Sequence, residues 1–348
     1  MESAHHMSKE RSDRLAGGVR IRSVTSANRA FLAPMSGVTD VPFRRLAHRF
    51  GAGLVVSEMV ACEQLAEGHP ETRLRSEGVE GAPHVVQLAG REERWMAEGA
   101  RIAEGAGADV IDINMGCPAK KVTSGYSGSA LMRDLDHALR LIEATVGAAT
   151  VPVTLKMRLG WDEGCLNAPE LAQRAEAAGV AMITVHGRTR NQFYKGRADW
   201  TAIAAVRERI SVPLVANGDC LSAGDARTML ERSGADAVMI GRGAYGRPWL
   251  PGAIGAALGG EAAMGAPTGT ALGDLIEEHV EMMLAHYGAE KGLKLSRKHI
   301  AWYLDAGAPD IPGNLRRALL TSTDPVFVTR NLRDWFGNAP DARMEKAA

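Results

Sequence analysis

Cysteines, aromatic side chains and net charge are all scarce in this sequence of 348 residues. The four cysteines lie far apart and include no C-x-x-C pair, so they indicate neither a disulfide framework nor a structural zinc site. Lysine plus arginine, 41, equals aspartate plus glutamate, 41, so a nucleic acid could be held only by a local basic patch. Aromatic residues make up 5% of the chain, whereas glycine occurs 39 times, which suits a fold with many tight turns between strands and helices.

The chain also lacks a long apolar run. No uncharged stretch reaches the roughly 18 residues that a membrane span needs. The first 30 residues carry six basic and three acidic side chains and no apolar core, so they do not form a secretory signal. We therefore expect a cytoplasmic protein without membrane association. We expect residues 1–28 to be a polar, flexible leader and residues 338–348 to be a tail.

Short apolar runs rich in valine, isoleucine and leucine recur from Phe31 onwards, each followed by glycine, aspartate or asparagine and then a helical stretch. Near-continuous apolar strands separated by helices are typical of parallel βα units. Eight such units predict a (β/α)8 TIM barrel over residues 29–255, with a doubly wound open sheet as the alternative. The predicted strands cover residues 31–34, 54–57, 84–88, 109–113, 152–156, 181–185, 212–216 and 236–240.

The rhythm of strands stops after Leu250. Residues 256–273 are rich in glycine, alanine, proline and threonine and indicate a linker. From residue 274 to residue 337 the pattern is helical without strands, which predicts a small all-helical C-terminal domain after the barrel.

Polar or conformationally special residues follow all eight predicted strands. In a TIM barrel the C-terminal ends of the strands carry the active site, so these residues are expected to meet there. They include Pro34, Met35, Ser36, Gln87, Asn114, Cys117, Lys156, Arg158, His186, Asn217, Gly218, Asp219, Gly241 and Arg242.

The last two strand ends indicate a phosphate site. Loops after the seventh and eighth strands commonly bind phosphate, and Gly241 lets the backbone approach while Arg242 adds a charged donor. Lys156 could neutralise the negative charge of a reduced isoalloxazine ring, although the Schiff-base lysine of an aldolase is an alternative. Gln87 and His186 can both donate and accept hydrogen bonds, although His186 could also be structural. Together these residues favour flavin mononucleotide, FMN, over a sugar phosphate alone.

Cys117 differs from the other cysteines because it lies between glycine and proline at a strand end, with Lys120 close by. Nearby cations ease thiolate formation, so Cys117 is a candidate proton donor. Gly125 and Gly128 suggest that the loop after it is a mobile lid. We expect Cys62, Cys165 and Cys220 to be small buried hydrophobic residues.

Several motifs resemble those of bacterial tRNA-dihydrouridine synthases, most closely the B type. The resemblance runs in order from Phe31 to Trp335. It is carried by APMSGVTDVPFRRL (33–46), SEMV (57–60), VQLAG (86–90), DINMGCPAKKVTSGYSGSALM (112–132), VTLKMRLGWD (153–162), TVHGRTR (184–190), VANGD (215–219) and MIGRGAYGRPWL (239–250).

The resemblance implies FMN-dependent reduction of the C5–C6 double bond of specific D-loop uridines in tRNA, with NADPH or NADH as the reductant. Flavin N5 gives a hydride to C6, Cys117 gives a proton to C5, and Asn114 and Arg158 contact the uracil. No obligate protein partner is evident. The residues implied to bind FMN are Pro34, Met35, Ser36, Gln87, Lys156, His186, Asn217, Gly218, Asp219, Gly241 and Arg242.

The C-terminal domain is expected to bind tRNA. Lys291, Lys294 and Lys298 have the spacing of one helix face, and Arg297 lies beside them. A solvated helix face is the alternative on charge alone. Two further readings of the whole protein remain: a small-molecule FMN barrel of the dihydroorotate dehydrogenase type, and an RNA-binding or regulatory protein without catalysis.

Overall fold

Parallel strands and helices alternate through most of the computed structural model, which describes residues 17–337. The strands are short, and those of the parallel sheet are almost entirely buried, as expected for a sheet that helices cover on its outer face. They are β1 Arg20–Ile21, β2 Val24–Thr25, β3 Ala30–Leu32, β4 Leu54–Val55, β5 Val60–Ala61, β6 Val85–Ala89, β7 Val110–Met115, β8 Val153–Arg158, β9 Met182–His186, β10 Leu214–Asn217 and β11 Ala237–Ile240.

The nine strands β3–β11 form one sheet in the order β4-β3-β11-β10-β9-β8-β7-β6-β5, and all of its pairs are parallel. β4 and β5 are two pieces of the second strand, and a bridge between Val56 and Val85 joins that strand to β6. The eight strand positions therefore follow one another around a barrel in chain order. The predicted TIM barrel and its eight strand positions are confirmed, and the open doubly wound sheet is excluded.

Register brings the functional strand ends to one level. Asn114 pairs with Lys156, and Arg158 pairs with His186. On the other side of β9, His186 also pairs with Asn217. Because parallel neighbours are in this register, their polar side chains reach the same rim of the barrel.

Capping residues fix where several barrel helices begin. The side chain of Asp40 accepts a hydrogen bond from the backbone N–H of Phe43, and that of Ser222 accepts one from the backbone N–H of Asp225. The barrel helices are α1 Val41–Arg49, α2 Cys62–Ala66, α3 Pro70–Ser76, α4 Glu93–Gly105, α5 Lys120–Thr123, α6 Leu135–Ala148, α7 Ala168–Ala177, α8 Ala204–Arg207, α9 Ala223–Ser233 and α10 Leu250–Gly259. Short 3-10 helices cover Gly128–Arg133 and Arg242–Ala244.

The expectation of a flexible leader over residues 1–28 is wrong for its second part. β1 and β2 form an antiparallel hairpin, and Val19 and Ile21 are buried with Phe31 and Met239 in a core cluster inside the barrel. This hairpin supplies apolar surface to the barrel interior. Residues 1–16 and the predicted tail, 338–348, lie outside the described residues.

Four helices make the C-terminal domain: α11 Gly269–Tyr287, α12 Ala289–Gly307, α13 Gly313–Thr321 and α14 Pro325–Gly337. Their apolar faces share a core that also takes in Leu46 and Phe50 of the α1 region and Trp249 before α10. The helical domain is therefore docked on the barrel beside its first and last βα units. Among residues 17–337, no helix is both long and apolar enough to cross a membrane.

The predicted linker, 256–273, is shorter than expected. α10 continues to Gly259 and α11 begins at Gly269, so only the residues between them connect the two domains. Gly273 belongs to α11, and a Cβ there would lie 2.6 Å from Cβ of Phe336. Part of the glycine content thus allows close helix packing and does not mark a loop.

Candidate active site

A cavity of about 550 Å³ opens at the C-terminal ends of the barrel strands. Every residue that the sequence predicted for the cofactor, the uracil or proton transfer lines it. These are Pro34, Met35, Ser36, Gln87, Asn114, Cys117, Lys156, Arg158, His186, Asn217, Gly218, Asp219, Gly241 and Arg242.

A buried hydrogen-bonded chain leads from the barrel interior to Cys117. Asp112 accepts a hydrogen bond from Nε2 of Gln87 at 2.7 Å, and Oε1 of Gln87 accepts one from Nδ2 of Asn114 at 2.7 Å. Oδ1 of Asn114 then accepts from the backbone N–H of Cys117 at 3.0 Å. Because a carboxylate can only accept, Asp112 fixes which way both amides point and so places the backbone of Cys117.

The two cationic side chains of β8, Lys156 and Arg158, have different hydrogen-bond partners and different roles. Nζ of Lys156 donates to Oδ1 of Asn217 at 3.1 Å, and burial, with Arg158 nearby, lowers the pKa of Lys156 to about 8. Arg158 donates through Nε and Nη1 to the carbonyl oxygens of Gly116, Thr189 and Phe193, at 2.8–2.9 Å. Lys156 is thus a positive charge facing the cavity, whereas Arg158 also fastens the loops that follow β7 and β9.

Asp219 follows β10 and orients the arginines that follow its two neighbouring strands, β9 and β11. Its carboxylate accepts from Arg188 at 2.5 Å and from Arg242 at 3.1 Å, and it also accepts from the backbone N–H of Ala198. Burial opposes ionisation, but these hydrogen bonds hold the pKa of Asp219 below its usual value. Asp219 therefore orients Arg242 towards the cavity.

His186 is kept neutral by its surroundings. Burial and four cations, among them Arg158 and Lys156, lower the pKa of His186 well below its usual value. Nη1 of Arg188 lies 3.3 Å from Nε2 of His186. A neutral imidazole can accept through one nitrogen and donate through the other.

The loop after β7 is folded back on Cys117. The carbonyl oxygen of Cys117 accepts from the N–H and the hydroxyl of Ser129, at 3.1 and 2.9 Å. Gly128 has φ +60, and a Cβ there would lie 2.8 Å from that same oxygen. Glycine is therefore required where the loop closes, and the loop predicted to be a lid covers the backbone of Cys117 in this conformation.

The other cysteines differ from one another. Cys62 and Cys220 are buried, as predicted, and burial raises the pKa of each thiol to about 12. Cys165 is partly exposed, so its prediction as a buried residue is wrong. Cys220 lines the cavity together with Cys117, but only Cys117 lies on the hydrogen-bonded chain from Asp112.

Sequence reasoning missed several residues of the cavity wall. Tyr194 has guanidinium groups of Arg158 and Arg242 at 5.5 and 4.9 Å from its ring centre, and Tyr245 follows the Arg242 turn. Both tyrosines belong to loops after strands, and aromatic residues at such places were the available signal. The other missed lining residues include Met59, Gly116 and Phe193.

The four basic residues predicted on α12 separate into different environments. Lys291 and Lys294 are exposed, and Nζ of Lys291 donates to Glu71 of α3 at 2.8 Å. Arg297 donates to the carbonyl oxygens of Thr321 and Ser322. Lys298 is half-buried and turns towards the first βα loop, where a Cβ on Gly37 would lie 3.5 Å from its Nζ.

The cavity fits a flavin nucleotide. Gln87 offers an amide and Lys156 a cation to a polar ring edge, while Gly241 and Arg242 provide an open backbone turn and a charged donor for a phosphate. A Cβ at Gly241 would lie in ordinary van der Waals contact with Met35 and Ala33, at 3.7 and 3.9 Å.

Comparisons with known proteins agree with this geometry. The family model for dihydrouridine synthase (Dus) matches residues 31–339. A probable tRNA-dihydrouridine synthase of Rhizobium leguminosarum bv. phaseoli is 59% identical over 88% of this chain and 94% of its own length. A tRNA-dihydrouridine synthase B of Xanthomonas campestris pv. campestris is 45% identical over 91% of this chain and 96% of its own.

Solved structures support the fold. A histamine dehydrogenase from Rhizobium sp. 4-9 superposes with a TM-score of 0.54 at 16% identity, covering 94% of this chain and 64% of that one. At this identity the likeness concerns the barrel architecture alone.

Proposed function

The chain belongs to the dihydrouridine synthase family, and from that premise we propose that it reduces the C5–C6 double bond of specific D-loop uridines in tRNA. The family resemblance noted in the sequence is thereby confirmed. The observation that carries the reaction is the placement of Cys117, whose backbone is held by Asn114 at the rim of a cavity suited to a flavin.

FMN is the proposed cofactor, and NADPH, or NADH, is the proposed reductant. Gln87 and Lys156 would hold the polar edge of the ring, and Pro34, Met35 and Ser36 would line the same cavity through the first loop. Asn217, Gly218, Gly241 and Arg242 would hold the ribityl phosphate, with Asp219 acting through Arg242. When bound and reduced, the flavin supplies a hydride to C6 of the uracil.

The protein's own residues supply the proton and the charge stabilisation. Cys117 gives its thiol proton to C5 and is left as a thiolate, which takes up a proton from solvent before the next turnover. Lys156, as a cation below its pKa of about 8, offsets negative charge in the cavity. One N–H of the Asn114 amide donates to Gln87, and Arg158 donates to carbonyl oxygens of the loops. The remaining N–H groups of Asn114 and Arg158 would contact the uracil.

The helical domain is proposed to hold the tRNA. The target base must leave its stack to enter the cavity, at a cost of a few kcal/mol that contacts elsewhere on the tRNA offset. Lys291, Lys294, Arg297 and Lys298 are the basic residues that α12 offers for this role. Since tRNA is the substrate, we expect the protein to act in the cytoplasm.

Mass-spectrometric nucleoside analysis tests the proposal. Unmodified tRNA is incubated with the purified protein, FMN and NADPH, beside the variants Cys117→Ala and Cys165→Ala. We expect a mass gain of two hydrogens on uridine, reduced by about 100-fold or more in Cys117→Ala because general acid catalysis is lost. Cys165→Ala is the matched control and should retain the reaction.

Each outcome has a distinct meaning. A gain undiminished in Cys117→Ala would keep the reaction and remove the proton-donor role. A yellow protein that NADPH reduces, but that tRNA does not reoxidise, would favour a small-molecule flavoenzyme of the dihydroorotate dehydrogenase type. A colourless protein that binds tRNA without changing it would favour the hypothesis of an RNA-binding or regulatory protein without catalysis.

A further inference from the structure

Two carboxylates are buried where the first βα loop meets the helical domain. Asp40 and Glu58 are each 3% exposed. Glu58 lies just after β4, and its Oε1 accepts a hydrogen bond from the backbone N–H of Gly37. Gly37 belongs to the loop whose residues Pro34, Met35 and Ser36 line the cavity, so a buried negative charge fastens the cavity wall from behind.

The barrel itself provides little direct compensation for these charges. Arg44 is the barrel's nearby cation, but its Nε donates to the carbonyl oxygen of Thr39 at 3.0 Å and its Nη2 to that of Glu77 at 2.8 Å. Removing a carboxylate from water costs several kcal/mol unless opposite charge or hydrogen bonds replace the lost solvation. A second cation is therefore expected beside Glu58 and Asp40.

The helical domain supplies it. Nζ of Lys298 lies 3.5 Å from the place of a Cβ on Gly37, and Asp40 and Glu58 both attract its charge. The hydroxyl of Tyr287, the last residue of α11, donates to Oδ2 of Asp40 at 3.2 Å. Lys298 and Tyr287 come from two successive helices, α12 and α11, so both helices reach the same pair of carboxylates.

We propose that Lys298 is a positioning residue for the reduction, whose charge compensates the buried carboxylate of Glu58, and that of Asp40 once it is ionised, and thereby holds the cavity loop of residues 33–39 in place. This rests on the proposed function and revises one part of it, because Lys298 then serves the barrel loop and not a tRNA phosphate. Through Lys298, the docking of the helical domain affects how firmly the cavity loop of residues 33–39 is held.

The test is a charge-rescue cycle on the holoenzyme: Lys298→Met, Glu58→Gln and the double variant. Glutamine keeps the oxygen that accepts from Gly37 but removes the charge. Lys298→Met leaves a buried carboxylate uncompensated, whereas the double variant leaves none at Glu58. We therefore expect Lys298→Met to lower kcat about tenfold and the double variant to recover most of that loss, because misplacement of a cavity wall acts on the reacting geometry.

Salt dependence separates this role from phosphate binding. Each phosphate contact that is lost lowers the slope of log Kd against log salt concentration by about one. The matched control is Lys294→Met, on the exposed face of the same helix, which should lower the slope by about one. Lys298→Met should keep the slope of the unaltered protein, with KM for tRNA changed less than kcat.

A readout independent of the reaction is the rate at which bound FMN dissociates, followed by the recovery of its fluorescence. We expect faster release in Lys298→Met and a near-normal rate in the double variant. If the unaltered protein makes no dihydrouridine, the proposed function fails, while this release cycle still tests the role of Lys298. The role is overturned if Lys298→Met lowers the salt slope as Lys294→Met does, if Glu58→Gln gives no rescue, or if Lys298→Met matches the unaltered protein throughout.

Discussion

Asp40 has two structural roles that pull its ionisation in opposite directions. It caps α1 by accepting from Phe43, which favours the carboxylate, and it is buried beside Glu58, which favours the acid. Burial dominates and raises the pKa of Asp40 to about 7, although Lys298 and the Tyr287 hydroxyl oppose the rise.

A pH dependence of stability follows. Between about pH 4 and pH 7 the folded protein keeps a proton on Asp40 that the unfolded chain has released, so this group makes the free energy of unfolding fall as pH rises through that window. Asp40→Asn retains a capping oxygen and removes the titration. We expect the stability of Asp40→Asn to decline less than that of the unaltered protein between pH 5 and pH 8, as measured by urea unfolding.

The measurement needs a control variant in which the carboxyl group lies away from the buried charges around Asp40. Glu58, Arg44, Lys298 and Tyr287 surround it from the barrel and from both long helices of the C-terminal domain. Asp310→Asn changes an exposed carboxyl and should leave the pH profile as it is. Parallel stability profiles for Asp40→Asn and the unaltered protein would show that Asp40 does not titrate in this window.

The sequence was informative about the site wherever a functional residue lay at or near the end of a strand. Lys156 and His186 could be placed because a parallel strand ends at a fixed level of the barrel, and the loop follows at once. Asp112 was missed because it lies inside β7, where an apolar run hides the alternation of side chains between the two faces. Lys298 has the spacing of an exposed helix face, and only tertiary packing shows that it turns to the barrel.

At the scale of helices and strands, close packing explains why glycine misled the sequence reading. Gly273 belongs to α11 and faces Phe336 of α14, where a Cβ would be 2.6 Å from that of the phenylalanine. Composition alone cannot tell a glycine that ends a helix from one that lets two helices approach. The hairpin β1–β2 was missed for a different reason, because strands of two residues are too short to show a periodic pattern.

Gly273→Ala tests this account of α11. Alanine favours a helix by up to about 1 kcal/mol over glycine, but overpacking costs about 1–3 kcal/mol, so the clash should prevail. We expect a lower free energy of unfolding for Gly273→Ala in urea. Gly313→Ala, at the start of α13 with open space around its Cβ position, is the control and should be neutral or stabilising. A stabilised Gly273→Ala would mean that the two helices can separate at little cost.

At the scale of the whole molecule, the two domains share one aromatic contact that reaches the cavity. The rings of Tyr245 and Trp302 are stacked, with centroids 3.9 Å apart and an angle of 13°. Tyr245 lines the cavity just after Arg242, and Gly246 follows it with φ +63. A Cβ on Gly246 would lie 2.2 Å from the carbonyl oxygen of Trp302, so the turn and α12 are in direct backbone contact.

This arrangement places the helical domain against the phosphate side of the proposed FMN site, whereas Lys298 reaches the first loop of the same cavity. Two separate walls of the cavity thus depend on the position of α12. A domain that served only to bind tRNA would not need contacts with the walls of the cavity. The helical domain is therefore part of the support of the active site as well as a candidate surface for tRNA.

Trp302→Leu should separate these two roles. Loss of the stacked pair and of buried area is expected to cost about 2 kcal/mol of stability and to let Tyr245 move, so FMN should dissociate several-fold faster. Trp95→Leu is the control, because Trp95 lies on α4 of the barrel, packs beside Arg94 and does not line the cavity. It should lose stability without faster FMN release. If both variants release FMN at the same rate, stability alone governs retention and the stack does not support the phosphate turn.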